Sequence, residues 1–379
     1  MAGSEEVQWE EIKIVIKNKW FGAKRWGPAD SENKWIAFHG WMDNAATFDL
    51  LVPKLIAGIT PQPEFVCIDL AGHGKSYHRS EGNYNIPDYV ADTLQVIEAL
   101  QWDKFSILAH SLGQSVGCVL AGTVPDRVNK LILLEGLGSA TESEEDVPRL
   151  FAKAVKDEMA FNKEKNFYTF QEAIERRVRG NVVSYISREG AEILALRGLS
   201  TIVTPVLNLE DPSYSLVNQH SFYSVYKQIA GTNQSFDKDG KYAWSSDSKL
   251  LLPTRIKFTE GILLAFIRNI SCPVLIILTK DGLFTSKQFK TAWLFSFFGR
   301  SLLNTLYYSL FLVSSLPLVG RYTNRAFKAV RMGYQLSQRF TKFRKGTKVL
   351  LNSGGHHPQL VVPVVDEIAS SIVDWYKKY

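Results

Sequence analysis

The stretch "SILAHSLGQSVG", Ser106–Gly117, joins an apolar β-branched run to a helix-like run through a single serine, Ser111, flanked by small residues. A strand that ends in A-H-S-L-G and passes straight into a helix has the G-x-S-x-G form of a nucleophile elbow, with Ala109 in the first small position. The turn is sharp, so bulky side chains two residues before or after the serine would collide with neighbouring backbone. The helix that follows directs the positive end of its dipole at the serine, which favours negative charge developing there. A serine in this position could instead cap the helix "LGQSVGCVLAG". The surrounding sequence decides between the two roles.

Outward from this stretch, the first 137 residues alternate short apolar runs with helical patterns. "IKIVIK" (12–17), "KWIAFHG" (34–40), "FVCIDL" (65–70), "FSILAHS" (105–111) and "KLILLEG" (130–136) read as strands. Continuous apolar character fits parallel strands covered on both faces. "AATFDLLVPKLI" and "PDYVADTLQVIEAL" carry helical spacing, and Pro87 suits a first helical turn. Strand alternating with helix predicts a mostly parallel α/β sheet with right-handed crossovers. From Ser139 to about Asn269 the pattern turns to amphipathic helices, then strand character returns in "CPVLIILTKDG" (272–282) and "GTKVLLNSGGHH" (346–357). The expected organisation is a core of residues 1–138 and 270–379 with a helical cap or lid at 139–269. Within the cap, about Val203–Phe236 reads as an additional stretch.

Two further motifs accompany the serine. "FHGWMDN" (Phe38–Asn44) ends a strand in His-Gly, and its loop would bring the Trp41 backbone N–H near Ser111. With the N–H of Leu112 it would form an oxyanion hole, in which one donor is typically worth about 2.7–4 kcal/mol in the transition state. "DLAGHGKS" (Asp69–Ser76) follows the next strand. With H-G-x-x-D-N, D-x-x-G-H-G-x-S and H-S-x-G in this order and spacing, the chain resembles the α/β-hydrolase superfamily. "HGWMDNAATFDLL", "GLSTI", "SCPVLII" with "KDGLF", and "GGHH" resemble its kraken-related serine hydrolase-like proteins. The resemblance implies an α/β-hydrolase fold, a mostly parallel central sheet with helices on both faces and an inserted helical cap.

It also implies a catalytic Ser-acid-His set in that chain order. "NSGGHHPQL" follows the last strand, and the position after its glycines matches His356 as the base, with His357 as the alternative. His39, His73 and His110 fall within the earlier motifs and are expected to structure loops. For the acid, Asp281 after "PVLIILTK" matches the usual strand end, although Asp-Gly is itself a turn signal. Glu135, after "KLILL", is the alternative. Asp281 and His356 are 75 positions apart, wider than the pattern requires, so an insertion separates them.

That insertion, about 289–345, is chemically distinctive. No acidic residue occurs from Gly282 to Val365, against twelve Lys and Arg, leaving 32 basic and 38 acidic residues elsewhere. The net charge of +6 is therefore local to one segment. "SLLNTLYYSLFLVSSLPLVG" (301–320) has twenty uncharged residues, but one pass would put strands of a single sheet on opposite sides of a bilayer. An apolar hairpin lying in a membrane interface, or packed over the site, fits better, with the following basic residues suited to anionic headgroups. No nucleic-acid motif accompanies the charge.

The expected activity is hydrolysis of a small-molecule carboxylic ester through an acyl-enzyme on Ser111, without a metal or organic cofactor. A serine at the elbow argues against the haloalkane dehalogenase and epoxide hydrolase branches, whose resembling members use aspartate. The alternatives are a lipase-like acylhydrolase at a membrane surface and a catalytically inactive hydrolase-fold binding protein. The acidic start without an apolar segment and the scattered cysteines Cys67, Cys118 and Cys272 point to a cytoplasmic rather than secreted protein. Vesicle association would come through 289–345. A peroxisomal location would suit the resemblance, although the last residues, "WYKKY", do not match S-K-L.

Overall fold

The computed structural model describes residues 8–162, 164–179, 186–200, 214–220, 223–228, 240–282, 335–336 and 338–379. Its chain begins with β1 (Trp9–Ile16) and β2 (Lys19–Trp26), an antiparallel pair. The alternating part follows: β3 (Lys34–Phe38), α1 (Val52–Gly58), β4 (Glu64–Ile68), α2 (Ile86–Ala99), β5 (Phe105–His110), α3 (Leu112–Thr123) and β6 (Val128–Leu134). Three helices come next, α4 (Val147–Met159), α5 (Phe170–Arg179) and α6 (Arg188–Gly198). After them lie β7 (Leu199–Ser200), β8 (Tyr214–His220), β9 (Tyr223–Gln228), β10 (Ala243–Trp244) and α7 (Glu260–Asn269). β11 (Val274–Thr279), β12 (Gly346–Leu351) and α8 (Val364–Lys378) complete it.

Ten strands form one sheet in the order β12-β11-β6-β5-β3-β4-β2-β1-β9-β8. From β4 to β12 the pairings are parallel, and β2, β1, β9 and β8 extend the sheet antiparallel. Every residue of β4, β5 and β11 is buried, as strands covered on both faces require. One apolar cluster gathers α2, α3 and α7 against the sheet, and a second gathers α1 and α8, so two cores flank it.

Three strands at the antiparallel side depart from what the sequence displays. β2 reads as charged, "KWFGAKRW", yet Lys24 and Arg25 are buried. Each has a carboxylate partner: Lys24 with Asp49 at 2.6 Å and Arg25 with Glu64 at 3.0 Å. The stretch expected to be additional within the cap supplies the hairpin β8–β9, which pairs onto β1.

The segment between β6 and β11 is tied to the sheet by ion pairs. Arg197 of α6 reaches Glu11 of β1 at 2.6 Å and Asp69, just after β4, at 2.8 Å, and Lys75 adds a bond to Glu11 at 2.9 Å. Burial alone would raise the Glu11 carboxyl, but Arg197 and Lys75 bring it down to about 2. Its contribution to stability is therefore complete above the unfolded carboxyl value and disappears as pH falls towards 2. Arg197→Ala removes the cation facing buried Asp69 and leaves Glu11 with Lys75 alone, and is expected to cost about 3–5 kcal/mol in urea unfolding. An unchanged midpoint would show that α6 is not fastened this way.

Of the insertion, residues 289–334 lie outside the described residues, and with them the apolar 301–320 stretch. Among the described residues no helix is long and apolar enough to cross a membrane. Where the chain returns, Arg339 is buried instead of facing outward. It donates to the carbonyls of Leu137 and Ser139 at 3.0 Å and pairs with Glu260 at 2.6 Å. Phe343 joins the core beside it.

Candidate active site

Ser111 sits between the last residue of β5 and the first of α3 with φ +50° and ψ −113°. A non-glycine residue in this region typically stores about 1–3 kcal/mol, a strain found where surrounding structure fixes a functional side chain. The fixing contacts are visible: Ser111 N donates to Leu134 O at 3.1 Å, and Gln114 N donates to Ser111 O at 3.1 Å. Gly113 is the residue the turn cannot exchange. A Cβ there would lie 2.2 Å from Phe38 O and 2.7 Å from His39 O. The same closeness brings the loop after β3 against the start of α3.

That loop carries Trp41, the first of the two expected backbone donors, and Leu112, the second, opens α3. Asp43 N donates to Gly40 O at 3.2 Å, closing a turn whose central residues are Trp41 and Met42, the latter at φ +61°. The Trp41 N–H is not consumed by that bond, and the Leu112 N–H opens a helix and has no intrahelical partner. The Trp41 indole donates to Leu250 O at 3.0 Å from a half-exposed position. His39 structures the loop as the sequence suggests. Its Nδ1 donates to Gly40 O at 2.7 Å and its Nε2 accepts from Leu70 N at 3.0 Å, which fixes a neutral tautomer.

The glycine turn after β12 has Gly354 at φ +128° and Gly355 at φ +61°, and delivers His356 to the serine. Ser111 Oγ and His356 Nε2 are 2.7 Å apart. On the other side of the ring, His356 Nδ1 faces Glu135 Oε2 at 3.6 Å. This is beyond a formed hydrogen bond, but neither atom has another partner, and such contacts tighten when substrate binds. A carboxylate can only accept, so Nδ1 carries the proton and Nε2 is free to accept from the Ser111 hydroxyl. Burial lowers the His356 imidazole below its ordinary value, while Glu135 pulls it upward.

The strand-end position favours Asp281 as the carboxylate facing His356, but Glu135 stands there instead. Asp281 is exposed, and its Oδ1 accepts the Gly355 N–H at 3.0 Å. Thr279 Oγ1 donates to Gly355 O at 2.7 Å, so the end of β11 grips both sides of that residue. Asp281 thereby holds the turn that carries His356 without facing the imidazole. Glu135 is fully buried at φ +51°, and its Oε1 accepts from Thr279 N at 2.6 Å. A Cβ on Gly282 would fall 2.1 Å from Glu135 Oε2, so the Asp-Gly pair makes room for the carboxylate from β6.

A group absent from the sequence reading lies beside this row. Asp43, His110 and His357 are buried together, with Arg177 of α5 bonded to Asp43 Oδ1. His110 Nε2 donates to His356 O at 2.7 Å. The quoted motifs contain all three residues, but at 43, 110 and 357 nothing in the spacing brings them together.

Comparison with known proteins agrees with this architecture. Residues 36–160 match the α/β hydrolase fold family model. A serine hydrolase-like protein of Danio rerio is 30% identical over 285 residues, spanning 73% of this chain and 71% of the relative. Serine hydrolase-like protein 2 of Homo sapiens is 29% identical over 286 residues, 73% and 77% of the two chains. The crystal structure of the hypothetical protein PA1622 from Pseudomonas aeruginosa PAO1 superposes with a TM-score of 0.67 at 29% identity, covering 97% of this chain and 99% of that one. The chain belongs to the serine hydrolase-like proteins of the α/β-hydrolase fold.

Proposed function

We propose that the protein is a serine hydrolase that cleaves carboxylic esters through an acyl-enzyme on Ser111. The observation that carries this is the 2.7 Å approach of His356 Nε2 to Ser111 Oγ at a strained strand-to-helix turn. His356 takes the Ser111 proton as Oγ attacks the ester carbonyl, and Glu135 stabilises the imidazolium that forms. The carbonyl oxygen becomes an oxyanion received by the N–H groups of Trp41 and Leu112. Collapse expels the alcohol, which takes the proton from His356. Water, deprotonated by the same nitrogen, then attacks the acyl carbon, and the acid leaves as Ser111 regains its proton.

The helices between β6 and β11 act in this account as a cap. Arg177 of α5 is anchored on Asp43, and Asn44 Nδ2 donates to Leu194 O of α6 at 2.9 Å, so both helices stand on the loop that carries Trp41. Such a cover restricts the alcohol and acyl groups that enter, but its contacts do not select one substrate. Peripheral membrane contact through 289–345 remains a proposal from sequence pattern alone.

The test is turnover of a p-nitrophenyl ester series from acetate upward, followed through the first milliseconds. The expected result is a burst of p-nitrophenol stoichiometric with protein, then slower steady turnover. A folded protein that neither bursts nor turns over would overturn the reading. The pH profile adds an independent check. Because burial holds His356 below the ordinary imidazole value of about 6.5, kcat/KM should rise through a midpoint under that value and stay level across neutral pH. The sign follows from the base being active only when unprotonated. A midpoint above 7 would contradict it.

A further inference from the structure

The geometry points to a binding site for a divalent transition-metal ion of the zinc type, formed by Asp43, His110 and His357 beside Ser111 and His356. One nitrogen from each histidine and one Asp43 oxygen lie within 4.8 Å of one another, and all three residues are buried. The two separations from Asp43 suit such an ion. His110 Nδ1 is 3.5 Å and His357 Nε2 is 3.3 Å from Asp43 Oδ2. Ligands at about 2.0–2.2 Å from a tetrahedral zinc ion stand roughly 3.3–3.5 Å from each other.

The hydrogen bonding gives the stronger reason. His110 Nε2 donates to the carbonyl of His356, an acceptor only, so its proton is placed on Nε2. A bond from the second ring nitrogen to a backbone carbonyl is what orients an imidazole for metal ligation. His110 Nδ1 is then left fully buried, without a hydrogen-bond partner, and directed at a carboxylate. A lone pair facing an anion at that distance calls for a cation between them. Asp43 is paired with the Arg177 guanidinium as a carboxylate. Arg177 bonds Oδ1, to which His357 Nε2 also donates at 3.3 Å, a proton the ion would displace, and among the described residues Oδ2 receives only Thr47 Oγ1 at 3.4 Å. A proton on His110 Nδ1 would fill the same gap, and that is the competing outcome.

The ion would be close to the proposed catalytic base. The rings of His110 and His357 are centred 5.1 Å and 5.3 Å from that of His356, His110 holds its carbonyl, and His357 is its peptide neighbour. Occupancy is therefore expected to slow turnover, a consequence that rests on the hydrolase reading, whereas binding does not.

Metal-free full-length protein would be titrated with Co²⁺ and with Zn²⁺ by equilibrium dialysis, as wild type, Ser111→Ala, His110→Asn and His357→Asn. Asparagine at 357 can still donate to Asp43 while removing the imidazole ligand. Wild type and Ser111→Ala should each take up one ion per chain, and either histidine variant should bind at least tenfold more weakly. X-ray absorption on the Zn²⁺-loaded wild type should show two imidazoles in the first shell, a result independent of whether the variants fold. Absence of stoichiometric binding, an imidazole-free shell, or undiminished binding in both folded histidine variants would overturn the site. Ester turnover that ignores bound Zn²⁺ would remove only its coupling to His356.

Discussion

Ser111→Ala is expected to lower kcat on a p-nitrophenyl ester by about 10⁶-fold, towards what substrate binding and the oxyanion donors retain. The fold should survive, because the substitution removes one oxygen. It leaves the backbone bonds from Ser111 N to Leu134 O and from Gln114 N to Ser111 O in place. The change removes a single neutral hydrogen bond, so a loss of only about 1 kcal/mol in unfolding free energy is anticipated. The measurement is steady-state turnover beside urea unfolding of both proteins. A folded alanine variant retaining a tenth of the activity would place the nucleophile elsewhere.

The second large effect separates the two candidate carboxylates. Glu135→Gln should reduce kcat by about 10³–10⁴-fold, since an amide can present its N–H to His356 Nδ1 and favour the wrong tautomer. Asp281→Asn should change kcat less than tenfold, because its role is one part-buried hydrogen bond to Gly355 N. That loss is expected to register as a stability decrease of about 1 kcal/mol. A burst experiment on both variants gives the comparison directly. The reverse order of effects would return the acid's role to Asp281 and require Glu135 to act only through Thr279.

This division also shows where sequence reading reached its limit. β3, β5, β6 and β11 were legible because strands covered on both faces must be continuously apolar, and the elbow was legible because its turn admits few side chains. The acid was not, for a geometric reason. β6 and β11 are neighbours in the sheet, so Glu135 and Asp281 both emerge beside the same His356 turn. Which carboxylate faces the ring depends on the backbone at Glu135 and on the space left by Gly282, and neither is visible in a motif. β2 was hidden because Lys24 and Arg25 resemble surface residues until their partners Asp49 and Glu64 are known. The hairpin β8–β9 was recognised as additional chain, but its place on the edge of β1 is a long-range pairing that local pattern does not encode.

The same limit applies to the group around Asp43. Its residues come from the loop after β3, the end of β5, the turn after β12 and α5, four places joined only by the fold. Its contacts link the proposed base to α5, since His110 holds the His356 carbonyl and Arg177 holds Asp43. Changes in α5 can therefore reach the base without touching Ser111.

The central claim is that Ser111 is a nucleophile activated by His356. It is tested most directly by labelling the folded protein with a fluorophosphonate and mapping the modified peptide by mass spectrometry. The account predicts one adduct per chain on Ser111, none in Ser111→Ala, and at least a hundredfold slower labelling in His356→Ala. No adduct on folded wild type would instead favour a binding protein built on a hydrolase fold. An adduct that persists in Ser111→Ala would contradict the account outright.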